Sequence, residues 1–333
     1  ASSNTAVGHF SLRANTTGAN NTSTGWASLR NNTTGASNVA MGHNALNNNT
    51  TASNNTAIGL SALQENTTGA QNDAFGANTL ASNTTGDDNT AIGGWALQNN
   101  TTADDNVAVG RQALQQNTTG ASNTALGRSA LTANTTGYSN VALGFQALVT
   151  NTTGPNNTAV GYQALESQTT GWNNVAIGRG SLGSNTTASN NTAVGYDAAE
   201  ANTTGTNNTA IGNQAFKTNT TGSHNTAVGR EALKASTTAS GNTVVGRQAG
   251  QQITTGAYNT IVGHLGAANN GGLITGSENT LIGAFADPSS TSGGQQIVLG
   301  YDCTGVGNNS ITIGKGHAST DRIYNYFTSN ASW

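Results

Sequence analysis

The sequence predicts an all-β fold, a parallel β-solenoid (β-roll) of 17-residue coils that assembles as an in-register homotrimeric fibre. Three observations predict it. Glycine recurs at every seventeenth position from Gly8, Gly25 and Gly42 through Gly229, Gly246 and Gly263. Asparagine stands four residues before each of these glycines, at Asn4, Asn21, Asn38, Asn55, Asn72, Asn89, Asn106, Asn123, Asn140, Asn157, Asn174, Asn191, Asn208, Asn225, Asn242 and Asn259. Finally, Asn (48), Thr (54) and Gly (44) make up 146 of the 333 residues, with only 8% charged and 34% apolar residues. Ordinary soluble domains carry roughly 25% and 45–50%, so a conventional large core is excluded.

The unit reads NTAVGxxALxxNTTGxx. A period of 17 is too short for the helix pairs of α-solenoids, and Gly, Asn, Thr and Val disfavour helix. Asn157 to Gly161 reads as a short strand, with Ala159 and Gly161 on one side and Thr158 and Val160 on the other. Ala164-Leu165 followed by Thr169-Thr170 reads as a second strand, ended by Gly171. Coils stacked at about 4.8 Å give roughly nineteen layers and a rod on the order of 90 Å. The repeated Asn is expected to form an amide ladder that satisfies corner backbone groups. The repeated Gly marks a positive φ or a close backbone approach. Each coil offers few apolar side chains, such as Ala159, Val160, Ala164 and Leu165. That is thin for a free-standing solenoid, so three chains packed through their larger Val, Ile and Leu face are expected.

The repeat runs regularly over 1–263. Later glycines fall at Gly283, Gly300 and Gly314, so 264–314 reads as irregular terminal coils. Residues 315–333, with Tyr324, Tyr326, Phe327 and Trp333, read as a C-terminal cap or tail. The chain opens inside a repeat without Met, which suggests an upstream segment. The single Cys303 cannot form an internal disulfide. A net charge of -3 with 11 Lys and Arg argues against nucleic acid as a partner. No apolar run approaches the roughly 18 residues of a membrane helix, so no membrane insertion is expected.

Asn174-Val175-Ala176-Ile177-Gly178 resembles the repeats of trimeric autotransporter adhesin heads. The longer NTAVGxxALxxNTTG unit is similar to repeats of phage tail fibres. The C-terminal Asn309 to Gly314, Asp321 to Tyr324 and Ser329 to Trp333 resemble the segment preceding an endosialidase-type intramolecular chaperone. The resemblance implies a non-enzymatic fibre shaft in a virion or at a cell surface. It also implies, as partners, further copies of the chain, other fibre or baseplate proteins and a host-surface glycan or receptor, with a chaperone domain removed after Trp333. The alternatives are a cell-surface trimeric adhesin, a polysaccharide-degrading tailspike and an ice-binding solenoid.

Several residues carry candidate chemistry. Asp87-Asp88 and Asp104-Asp105 lie one period apart. Four stacked carboxylates would suit a hard cation such as Ca²⁺, or splay apart as solvated charges; no other cofactor is expected. The position after the repeated Gly is variable and reads as an exposed stripe. Tyr138, Phe145, Tyr162, Trp172 and Tyr196 concentrate aromatic rings there and in a neighbouring column. They are candidate glycan or receptor contacts, or covers for a seam between chains. His9 and His43 are two coils apart with Trp26 between them, and read as surface histidines. Glu166 and Glu200 would be about 9.6 Å apart, at the far edge for an inverting glycosidase. Neither they nor Asp197 comes with an insertion able to form a cleft, so no catalytic residue is assigned. Gly178, Gly180 and Gly183 match a phosphate-cradle pattern with no helix to follow. The twelve Asn-Thr-Thr triplets match the N-glycosylation acceptor but follow from the repeat. Only one Thr of each Thr-Thr pair can face outward, which argues against ice binding.

Overall fold

The computed structural model describes residues 2–268, 272–316 and the strand at 322–326. Among them there is no helix, and the chain forms a parallel β-solenoid of about eighteen coils. It comprises two compact units, Ala1–Thr170 and Gly171–Trp333. The first holds β1 (Thr5–Val7) to β10 (Thr158–Val160), one three-residue strand per coil. The second holds β11 (Val175–Ile177) to β18 (Ile297–Leu299), then β19 (Ser310–Gly314) and β20 (Arg322–Tyr326). Within each unit, successive strands pair in parallel at the repeat spacing, as in Thr158↔Val141 and Thr192↔Thr209.

The coil from Asn38 to Asn54 shows how the unit closes. In its strand, Ala40 points inward and is fully buried, while Val39 and Met41 face out. Ala45 and Leu46 complete the interior. Two asparagines then seal the coil: the Asn38 and Asn49 side-chain amides both donate to the Ala52 carbonyl, at 2.9 and 3.0 Å. Each also belongs to a vertical ladder. Asn38 Oδ1 accepts the Asn55 backbone N–H at 3.0 Å, and Asn49 Nδ2 donates to Asn32 Oδ1 at 2.8 Å. The predicted ladder therefore exists: between coils the repeated Asn accepts a backbone N–H and, in several coils, its amide also reaches the neighbouring Asn, as from Asn38 to Asn21 Oδ1 at 3.2 Å, while it spans its own coil as well. The second ladder runs through the Asn of the Asn-Thr-Thr triplets. From Asn32 to Asn151 and from Asn185 to Asn219 these side chains are buried, which puts them out of reach of a glycosyltransferase in the folded state.

The second predicted strand does not form. Gln163 and Leu165 have φ of 54° and 52°, and Asn156 at the preceding corner has 58°. Left-handed residues alternate with right-handed ones and cannot make a β ladder. Backbone bonds still run along the stack, in alternating directions: Asn44 donates to Trp26 O on one neighbour and Leu46 to Ala62 O on the other, both at 3.0 Å. Buried leucine in this region costs roughly 1–2 kcal/mol. The repeated glycine satisfies both of its expected reasons. Gly110 has φ 133°, and a Cβ there would lie 2.6 Å from Gly127 O.

The stack continues past Gly263. Thr260 pairs with Thr280, Thr280 with Ile297 and Ile297 with Ile311, all in parallel, and Asn279 N–H donates to Asn259 Oδ1 at 3.0 Å. The interior changes composition here. Val244, Ile261, Leu281 and Val298 replace the strand alanine, and Gly250 and Gly266 stand where Leu and Ala stood below. A Cβ on Gly266 would lie 3.0 Å from Ile261 Cγ2, so the larger strand residue fills the vacated volume. Cys303 is buried and takes part in no disulfide among the described residues. The last strand was not foreseen: β20 turns back antiparallel on β19, pairing Ser310 with Tyr326 and Gly314 with Arg322. Asp321, Phe327 and Ser329 to Trp333 of the expected cap lie outside the described residues.

Candidate functional site

Two outward surfaces carry the chemistry. The first is the strand face. Residues one and three of each strand point away from the Ala interior, and the third is usually aliphatic. In the first unit Val7, Met41, Phe75, Ile92, Leu126 and Leu143 are exposed there, and in the second Ile177, Ile211, Val245, Val262, Ile282 and Ile313. Leu126 is 45% exposed although Leu131, in the same coil, is fully buried. The large apolar residues thus divide between a sealed interior and an open rank. The expectation that one face gathers Val, Ile and Leu holds for the strand residues, whereas the Leu of the Ala-Leu pair lies inside each coil.

The second surface is the column after the repeated glycine, with the position beside it. In the first unit Phe145 stacks on Tyr162 at 5.4 Å and 15°, with the Arg128 guanidinium 5.8 Å from the Phe145 centroid. Trp26 stacks on His43 at 4.6 Å and 10°. In the second unit Arg179 donates to the Tyr196 hydroxyl at 2.8 Å, its guanidinium 5.4 Å from that ring. Coil spacing explains this order: equivalent side chains sit about 4.8 Å apart, close to the separation aromatic rings favour. Stacking along the column turns ring faces toward neighbouring coils and leaves ring edges toward solvent. Tyr138, 52% exposed in the first unit, and Trp172, 47% exposed in the second, stand in the other aromatic column. Rings that sequence reasoning passed over are Phe10, Trp95, Tyr258, Phe285 and Tyr301. Arg111 lies 4.9 Å over Trp95, and Phe285 meets His264 and Tyr301 edge-on at 5.3 and 5.7 Å. For Phe10, Trp95 and Phe285, a position in the repeat register close to an Arg or His was the signal available.

The aspartates have structural partners. Asp87 Oδ1 accepts the Ala70 backbone N–H at 2.6 Å and Asp104 Oδ1 accepts the Asp87 N–H at 2.8 Å. Ser53 makes the same link to Ala36 at 3.0 Å. Asp88 accepts from the Gln71 amide at 2.8 Å, and Asp105 is exposed. Among the described residues no group of three or more His, Cys, Asp or Glu is arranged to hold a metal ion.

The acids considered for catalysis are likewise engaged. Glu166, in the first unit, accepts from the Gln163 amide at 2.7 Å. In the second unit Asp197 and Glu200 share Lys217, at 2.9 and 3.7 Å. The hydrogen bond to Asp197 raises the Lys217 pKa above its ordinary value, against a smaller opposing effect of burial. Glu231 is drawn below its ordinary value by hydrogen bonds from Lys234 and Gln248. The first Thr of each Thr-Thr pair is also engaged: Thr33 Oγ1 donates to Thr50 O at 3.0 Å and Thr50 Oγ1 to Thr67 O at 3.1 Å. No protein-family model matches the chain, and no curated protein matches it.

Proposed function

We propose that the chain is the shaft of a homotrimeric attachment fibre, a phage tail fibre or an analogous extracellular appendage that presents its surface to a host glycan or receptor. The observation that carries this reading is the exposed aliphatic rank. Each unit pairs its buried asparagines within its own ladders and still leaves a row of Val, Ile, Leu, Met and Phe in solvent on a flat strand face. Contiguous apolar surface of this kind marks an interface. Further copies of the same chain, in register about one axis, match it residue for residue. The mechanism is reach and rigidity, with weak contacts at Tyr138, Phe145, Tyr162, Trp172 and Tyr196 multiplied by three chains through effective concentration. The acidic residues act within the stack as ion-pair and hydrogen-bond partners, and the fibre has no catalytic role. Other fibre or baseplate proteins are the partners at its ends, in a virion or outside a cell.

The test is the native mass together with electron microscopy. The purified chain is expected at three times its own mass, as a thin rod, and the double substitution Leu126→Lys and Leu143→Lys should dissociate it. A monomer that remains monodisperse at high concentration would overturn the assembly.

A further inference from the structure

We infer that the first coils carry a binding site for an acidic saccharide, recognised through a carboxylate or sulfate on the sugar. This goes beyond the attachment reading, which places glycan contacts only on the aromatic residues between Tyr138 and Tyr196.

The site is built from two basic and two aromatic side chains on adjacent coils. Arg13 and Arg30 occupy equivalent positions one period apart, and both guanidiniums lie over the Phe10 ring, at 5.1 and 5.3 Å from its centroid. Phe10 meets Trp26 edge-on at 6.4 Å and 71°. Trp26 is 44% exposed and backed by His43. Neither the Arg13 nor the Arg30 guanidinium makes a hydrogen bond or ion pair among the described residues. In sequence, no Asp or Glu precedes Glu65.

Two like charges gathered on one ring repel unless an anion answers them. The Phe10 face partly compensates each charge and orders each guanidinium. It leaves the N–H edges of both forks free, and these are the edges that grip a planar oxyanion in bidentate fashion. The geometry therefore presents an ordered, unfilled pair of anion donors beside a half-exposed indole. A half-exposed indole next to charge-assisted donors suits a sugar ring bearing one acidic group. Two guanidiniums are too few to hold a polyanion by counterion release at physiological salt, so a nucleic acid is the disfavoured occupant.

The experiment titrates the intact chain with lactose, sialyllactose and sulfated lactose, read by calorimetry and by Trp fluorescence. Binding by sialyllactose, sulfated lactose or both, at least tenfold tighter than lactose, is expected, and the tighter of the two names the group recognised. Arg13→Gln and Arg30→Gln should each weaken binding at least fivefold, Trp26→Phe should remove the fluorescence change, and Arg247→Gln, at an exposed position of the second unit, should leave the affinity unaltered. These exposed or half-exposed positions lie outside the sealed interior, and unchanged far-ultraviolet circular dichroism checks that each variant folds. Equal binding of lactose, no binding of either acidic sugar, or indifference to both Arg substitutions would overturn the site. So would an oligonucleotide that binds through Arg13 and Arg30 in place of the sugars. Because the readout is sugar affinity, failure here leaves the trimeric-fibre reading to be decided by mass and microscopy.

Discussion

Replacing Asn38 with Ala isolates what one rung of the main ladder contributes. The wild-type side chain accepts the Asn55 N–H at 3.0 Å and donates to the Ala52 carbonyl at 2.9 Å and to Asn21 Oδ1 at 3.2 Å. After substitution, Ala52 O keeps its bond from Asn49 at 3.0 Å, and Asn21 Oδ1 keeps the Asn38 backbone N–H at 2.9 Å. One group is left without a partner, the buried N–H of Asn55. An orphaned buried donor costs about 1–3 kcal/mol and each satisfied bond lost about 1 kcal/mol, so the expected loss is about 2–4 kcal/mol. In a stack whose layers contact only their neighbours the damage is local. Amide hydrogen exchange should therefore show Asn55 deprotected by two to three orders of magnitude, with amides near Asn140 unchanged. A matched substitution at Asn31, which is exposed, should have little effect. Destabilisation below about 0.5 kcal/mol, or equal deprotection along the whole chain, would refute the ladder as the stabilising element.

Four further outcomes follow from the same geometry. Ser236 interrupts the second ladder and its Oγ is buried without a partner; Ser236→Asn should donate to Asn219 Oδ1 and raise stability by about 1 kcal/mol, read as a higher melting temperature. Leu114 is buried at φ 51°. Leu114→Ile keeps the volume but puts a β-branched residue in the left-handed region, so its cost should exceed the roughly 1.5 kcal/mol of an ordinary isosteric swap, measured by chemical denaturation. The Glu231 carboxyl is held below its ordinary value of 4.5. Its stabilising contribution is therefore complete above that value and is lost as the pH falls through the lower folded-state value, and Glu231→Gln should flatten this part of the acid limb. The first oxygens of Asp87 and Asp104 already accept backbone N–H groups, so melting in a chelator is expected to match melting in added Ca²⁺, and a rise with Ca²⁺ would instead identify the carboxylate corner as a cation site.

The sequence made the coil length, the strand and the main ladder legible because each depends on a residue type with few other uses. Asn at a fixed interval and Gly four residues later left no alternative to stacking. The second ladder was hidden by ambiguity: Asn-Thr-Thr reads equally as a surface acceptor triplet, and only burial distinguishes the two. The Asp87 and Asp104 corner was legible as a column but not as a set of backbone acceptors, since Ser53 fills the same role without charge. The Arg13, Phe10 and Arg30 cluster was missed because Phe10 lies one place beyond the column that drew attention, and cation–aromatic contact needs side-chain positions as well as register. The antiparallel return of β20 had no periodic signal, because it leaves the repeat.

The left-handed positions coincide with an absence in the sequence. With Thr the most abundant of the three dominant residue types, 54 in the chain, any solvent-facing column should collect some. Seven columns collect no Thr, Val or Ile, and three of them coincide with left-handed backbone. The positions of Asn156, Gln163 and Leu165 hold no Thr, Val or Ile in any of the sixteen regular coils, and they are the places where non-glycine φ is positive. β-Branched side chains are the residues that conformation tolerates least. Most coils thus carry backbone strain at three places, relieved by Gly180, Gly241 and Gly250 where glycine stands there, and a single coil has no contacts of its own able to offset it. Compensation comes from the axial backbone bonds and the two asparagine ladders, all of which need a neighbour. The coil is accordingly not a folding unit. The same dependence fixes the register of the stack, because a slip of one residue would take the repeated Asn off its ladder and turn the buried strand Ala outward.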